Sequence, residues 1–290
     1  GLHPLREATQ YSGGSGARLR RSFADEATAL EFAASGEVLR SRGRGADFLL
    51  DRNSGSAAVA IEHAPLLGTE WRGGYRYHLR AFPDSSERDH WEHAWEGRVR
   101  RDLDGGHWLA LETEIGRRQT IRLAPTSRDN FWGSLTTLEG EARWGEARAL
   151  RIRLALETLH YDVEDSTLFF NYTIARAFVG PRLPLPRGWT ASVGPRGEAL
   201  LSLRNRGEEY REIAAVAEIE HSGAAAWWSV TPVVGRRDYT EPASSGLDTF
   251  DIAATHSSYA FCEVGVLGDQ SLGAGLRLHV FASGRAEAHT

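Results

Sequence analysis

The stretch Ala149–Val179, ALRIRLALETLHYDVEDSTLFFNYTIARAFV, sets the fold class. In its first half Leu150, Ile152, Leu154 and Leu156 alternate with Arg151, Arg153 and Glu157. That period of two places apolar side chains on one face of a strand and charged ones on the other. The apolar parity then passes to Leu159, Tyr161 and Val163, which in a strand asks for one extra residue near Thr158, a bulge. After the acidic turn Glu164-Asp165-Ser166, alternation resumes with Leu168, Phe170, Tyr172, Ile174 and Phe178. A long antiparallel hairpin with its apolar face buried is expected. Helical spacing is also kept by Ile152, Leu156, Leu159 and Val163, so a helix stays open for the first half.

Two further hairpins flank this one. Trp108 to Ile115 alternates, with Leu109, Leu111 and Ile115 opposite Ala110, Glu112 and Glu114, and Gly116-Arg117-Arg118-Gln119 turns it into Thr120 to Leu123. Tyr259 to Leu267, a Gly268-to-Ser271 turn and Leu276 to Phe281 make the other. Shorter strands are expected at Phe48–Leu50, Ala58–Ile61, Trp71–Phe82 and Leu200–Leu203. Two helices complete the set. Ser22 caps the first, with Asp25 three residues on, Ala27, Leu30 and Ala34 inside and Gly36 at its end; the second is Glu208–Glu220, with Tyr210, Ile213 and Ala217 on one stripe. The expected fold is β-dominated α+β, an antiparallel sandwich or jelly-roll-like core with about two helices. Residues 1–21, bearing Arg18, Arg20 and Arg21, read as a flexible arm, 22–180 as a β-rich core domain, and 181–290 as a second β-rich half packed on the first. The boundary falls in the proline-rich run Gly180 to Gly188.

Composition narrows the partners. The 290 residues carry a net charge of −5, so nucleic acid is not indicated beyond the short Arg-bearing N-terminal arm. No apolar run is long enough for a spanning helix, which gives an expectation of no membrane span, and Gly1-Leu2-His3-Pro4 opens no signal peptide. The compartment stays open. All 34 basic residues are arginine and the chain is lysine-free, a consequence of GC-rich coding or a trait suited to a viral or toxin protein that escapes ubiquitin attachment. The one cysteine, Cys262 within Tyr-Ala-Phe-Cys-Glu-Val, excludes an internal disulfide and reads as a small buried apolar residue.

Three groups of residues suggest chemistry. On a helix, His90 and His93 of the run His90-Trp91-Glu92-His93-Ala94-Trp95-Glu96 would share a face as metal ligands. His160 and Asp162 have the His-x-Asp spacing of the non-haem iron triad. Glu112 and Glu114, on one face of a strand and about 7 Å apart, suit acid-base cleavage of a glycosidic bond, with Trp91, Trp95 and Trp108 as platforms for sugar rings. No motif calls for a cofactor. The leading expectation is a non-catalytic structural or interaction protein, a virus coat or similar self-assembling component whose partners are other copies of itself or another protein. Alternatives are a carbohydrate-binding or carbohydrate-cleaving β-sandwich and a non-haem iron oxygenase.

Overall fold

The computed structural model describes residues 8–23, 27–43, 51–66, 68–121, 130–145, 148–164, 169–223, 225–240, 257–273 and 276–289. Alternation like that of Ala149–Tyr161 recurs on strands such as Trp108–Thr120 and Tyr210–Ser222, and strands make up most of the described residues. In chain order these are β1 Ala8–Ser22, β2 Thr28–Gly43, β3 Arg52–Leu66, β4 Thr69–Ala81, β5 His90–Asp102, β6 Trp108–Thr120, β7 Phe131–Arg143, β8 Ala149–Tyr161, β9 Tyr172–Pro184, β10 Trp189–Leu201, β11 Tyr210–Ser222, β12 Ala226–Tyr239, β13 Tyr259–Gly273 and β14 Leu276–His289. They form one antiparallel sheet in which each strand is hydrogen-bonded to its successor in sequence. No crossover interrupts the order.

Two compact units can be distinguished, one of Gly1–Arg100, Glu112–Leu135 and Leu159–Phe169, the other of Arg101–Leu111, Thr136–Thr158 and Phe170–Thr290. The connections between strands alternate in length. At one end, here the turn end, residues 23–27, 67–68, 103–107, 144–148, 185–188, 223–225 and 274–275 link neighbours closely; at the other, the loop end, the links are 44–51, 82–89, 121–130, 162–171, 202–209 and 240–258. Tight hairpins whose twist matches their strands need positive φ at consecutive residues. Gly105 and Gly106 supply it at 77° and 78°, and Arg187 at 63° with Gly188 at 78° does the same, at a cost of about 1–2 kcal/mol for the residue that carries a Cβ.

A recurring side-chain bond closes the loop end. The residue just before a strand accepts a hydrogen bond from a backbone N–H at the end of the preceding one. Asp51 accepts from Ser41 N at 2.7 Å, Asp89 from Phe82 N at 2.7 Å, Asn130 from Thr120 N at 2.7 Å, Glu209 from Ser202 N at 2.9 Å and Ser258 from Tyr239 N at 3.2 Å. Each supplies a partner to an N–H that has run out of ladder.

Several expectations are corrected here. The fold is not an α+β sandwich or jelly roll with two helices; among the described residues there are only strands and single 3₁₀ turns. Where a helix was expected from Ser22, Thr28–Gly43 is β2, with Ala33 opposite both Arg18 and Ala58. Two full ladders of backbone bonds outweigh a helix propensity of a few tenths of a kcal/mol per residue. Glu208–Glu220 is mostly β11, and there Tyr210 and Ile213 lie on opposite faces rather than on one stripe. Gly116 does not turn the chain, since β6 runs on through Thr120, and β8 continues to Tyr161. The segment of the N-terminal arm from Ala8 is β1. The expected strand at 48–50 lies outside the described residues. Most strands are 13 residues or longer, well over twice the usual length in globular domains.

Candidate functional site

The two faces of the sheet are chemically opposite. On β4, Arg72, Arg76, His78 and Arg80 alternate with Trp71, Tyr75, Tyr77 and Leu79; on β5, Glu92, Glu96, Arg98 and Arg100 alternate with Trp91, His93, Trp95 and Val99. On β8 Arg151, Arg153 and Glu157 alternate with Ile152, Leu154 and Leu156. Which face is sequestered is the reverse of the sequence-based expectation. Leu154 is 43% exposed, as are Ile152 and Leu156 to similar degrees, while the Arg151 side chain is only 13% exposed. Burial of the charged face follows from pairing across strands.

In the second unit that pairing is dense. Arg151 binds Glu139 at 2.7 Å and Glu218 at 2.7 Å, Arg153 binds the same two carboxylates, and Arg182 reaches Glu141 at 2.7 Å. Nearer the loop end Arg176 bridges Glu157 and Glu198, both at 2.9 Å. Tyr210 Oη donates to Glu198 at 2.5 Å, and Arg237 stacks 3.8 Å from the Tyr210 ring while binding Glu212 at 2.7 Å. Arg196 holds the other oxygen of Glu212 at 2.6 Å, and the Glu212 side chain is 1% exposed. Small apolar clusters fill gaps on this same face: Phe178, Val216, Val233 and Phe261 in one, Ile174, Leu200 and Tyr210 in another. In the first unit the pairs are more open. Arg72 links Glu62 and Glu96, and Arg76 meets Glu114 at 3.1 Å.

The apolar face is banded. In the first unit Tyr75, Tyr77, Trp91, His93, Trp95 and Trp132 form a continuous aromatic group, with Trp95 and Trp132 stacked at 6.5 Å between centroids and Arg117 5.2 Å from the Trp132 ring. It lies toward the loop end. Pairs flank the tight connections at the turn end: His63 with Trp71 at 5.5 Å in the first unit, and Trp189 with His221 at 5.0 Å in the second. Between these levels most of the face is Leu, Ile, Val, Ala and Gly, as Leu109, Leu111 and Ile115 on β6 illustrate, with Thr113 among them.

This geometry separates the residues singled out from the sequence. Glu112 and Glu114 lie on the charged face of β6, whereas Trp91 and Trp95 lie on the apolar face of β5, and Trp108 opens β6 with the parity of Glu112. An aromatic groove floored by those carboxylates is not formed. His90 and His93, three apart, share a face on a helix and take opposite faces on a strand: His90 is 2% exposed and its Nδ1–H donates to Arg88 O, while His93 contacts Tyr75. Arg117 donates to both oxygens of Asp162, Nη1 to Oδ1 at 2.6 Å, and this hydrogen-bonded pair holds the Asp162 carboxyl below its ordinary range. His160 is exposed on the apolar face of β8. No group of three potential metal-ligating side chains occurs among the described residues. Cys262 is exposed, not buried.

No protein-family model matches the chain, and no curated protein does. Among solved structures, the alcaligin outer membrane receptor FauA of Bordetella pertussis is similar over 99% of this chain at 12% identity and a TM-score of 0.41. The chain spans 62% of that receptor's length.

The exposure of the apolar face corrects the functional expectations. A coat-like, self-assembling or carbohydrate-handling sandwich and an iron oxygenase each needed a core made of the apolar faces, and the sheet leaves those faces outside. The expectation of no membrane span is withdrawn as well. No described helix is long and apolar enough to cross a membrane, but a strand crosses with alternate residues and shows no apolar run.

Proposed function

We propose that the sheet is the wall of a membrane-spanning β-barrel of the outer-membrane type, with its apolar face in lipid and its charged face toward a water-filled interior. The observation that carries this is the inversion on β8, where leucines are exposed and arginines are sequestered in ion pairs. In water, a contiguous exposed apolar face of this extent favours aggregation. In a bilayer it is the requirement.

Dimensions support the same conclusion. A strand of 13 residues is about 43 Å long at ~3.3 Å per residue; tilted by about 40°, it covers about 30 Å, enough for the apolar band of an outer membrane. Short connections at one end and longer ones at the other, and aromatic residues at both levels, complete the pattern of such proteins. Lipid cannot satisfy backbone groups at a sheet edge, so the function requires a closed sheet.

Cys262, the one cysteine, lies on the apolar face of β13 between Phe261 and Glu263. With the protein in lipid vesicles, an apolar maleimide is expected to label Cys262 and a charged, membrane-impermeant one to fail until the protein is unfolded. Rapid labelling of the folded, vesicle-bound protein by the charged reagent would refute the proposal.

A further inference from the structure

The apolar face is not uniformly covered. In the second unit it dips into a trough of about 580 Å³ running across β7 to β11. The floor is made by two cross-strand rows: Ala177 beside Gly197, and Ala175 beside Ala199. Leu156 walls it on β8 and Ile213 on β11, the latter directly opposite Gly197. Four consecutive floor positions carry a methyl group or less where neighbouring strands present leucine, isoleucine or valine, and that missing volume is the trough.

The row nearer the loop end finishes in a charge. Ala199 pairs with Arg211, which lines the trough and is exposed on the apolar face. On the opposite face of β8 to β12, Arg151, Arg153, Arg176, Arg182, Arg196 and Arg237 are tied to carboxylates; Arg211 has no ion-pair partner among the described residues. The carboxylate across from it, Asp238, is engaged by Arg236 at 2.7 Å. An unpaired guanidinium beside an apolar channel, one residue inside the loop-end border of a lipid-facing sheet, is complementary to a single kind of molecule.

We propose that this trough is a binding site for a phosphate-bearing acyl lipid of the loop-side leaflet, an acyl chain lying over Ala175, Ala177, Gly197 and Ala199 and the phosphate accepting a forked pair of hydrogen bonds from Arg211. The inference rests on the membrane-spanning reading of the sheet. It adds one specific site to a surface otherwise solvated by bulk lipid.

Native mass spectrometry of the protein released from micelles containing dimyristoyl phosphatidylglycerol or dimyristoylglycerol tests it. The wild-type chain is expected to retain the phosphate lipid about fivefold more than the uncharged one, the advantage of one basic residue at a membrane surface. Arg211→Gln should abolish that preference. Gly197→Leu, at a position where an added Cβ meets nothing within 4 Å, should fill the trough and lower retention of both lipids. Equal retention of the two lipids by the wild type, or retention unchanged in both variants, overturns the site while leaving the membrane-spanning reading intact. A dimer that Gly197→Leu converts to monomer assigns the trough to a second copy and also overturns it. A protein that never enters the micelle or vesicle, and whose Cys262 reacts freely with the charged maleimide, overturns the site and the parent reading together.

Discussion

Residues 154 and 155 are adjacent on β8, yet they lie on faces of opposite chemistry. Leu154 stands among exposed leucines over the trough; Ala155 sits between Arg153 and Glu157 on the face where charges pair. Around Leu154 the apolar face is exposed, and the charged face holds most of what this part of the sheet buries, including Glu212 and the Phe178–Phe261 cluster. In the proposed membrane-spanning barrel, stability on one side comes from the surroundings and on the other from the protein.

The largest way to break that comparison is a charge on the wrong face. Leu154→Arg, near the middle of β8, is expected to destabilise the vesicle-bound protein by about 3 kcal/mol in denaturant unfolding, the cost of arginine near the bilayer midplane. Ala155→Arg should cost under about 1 kcal/mol. If Leu154→Arg changes stability by no more than an ordinary surface substitution, about 0.5 kcal/mol, the apolar face is not in lipid.

Within the charged face, Glu212→Ala should cost about 2 kcal/mol in the same assay, because Arg196 and Arg237 lose their shared carboxylate. A fully buried pair would cost about 3–5 kcal/mol when broken; Arg196 keeps enough exposure to recover part of its hydration. Glu114→Gln, by contrast, removes the pairing with Arg76 in which both side chains are 48% exposed. It should shift stability by less than about 0.5 kcal/mol, and an effect equal to that of Glu212→Ala would mean the two units' networks are equally sequestered.

The smallest effect concerns the Arg117–Asp162 pair beyond the end of β8. Hydrogen bonding to Arg117 lowers the Asp162 carboxyl in the folded state, so its contribution is complete above the unfolded carboxylate range and fades as pH falls through the depressed folded value. Asp162→Asn should leave wild type and variant converging at the acid end of a stability-versus-pH series and separated near neutrality. Parallel curves across the whole range would show that the pair contributes nothing that titrates.

The loop-end bonds of Asp51, Asp89, Asn130, Glu209 and Ser258 had no signal in the sequence, because each is a polar residue before a strand and such residues are common in any loop. Only the hydrogen-bond partner distinguishes them, and the partner lies across the loop. The trough was equally hidden. Ala175, Ala177, Gly197 and Ala199 become one surface only when β9 and β10 are set in register. The central hairpin and the one formed by β13 and β14 were legible, although their strands ran longer than expected, since strand ends were placed at ordinary turn signals such as Gly116-to-Gln119 and Gly268-to-Ser271 that the ladder overrides.

By itself the sequence determined the alternation, the separation of Arg151 and Arg153 from Ile152 and Leu154, and the pairing of β8 with β9, because a period of two is a property of the extended backbone and needs no partner to be read. Which face turns toward the protein it could not determine. Alternation is symmetric: the same pattern serves an apolar core with a wet exterior or a charged interior with a lipid exterior. Which face is sequestered was decided by the tertiary structure, where cross-strand carboxylates at Glu139, Glu198, Glu212 and Glu218 meet the arginines and make the charged face the one the chain can bury.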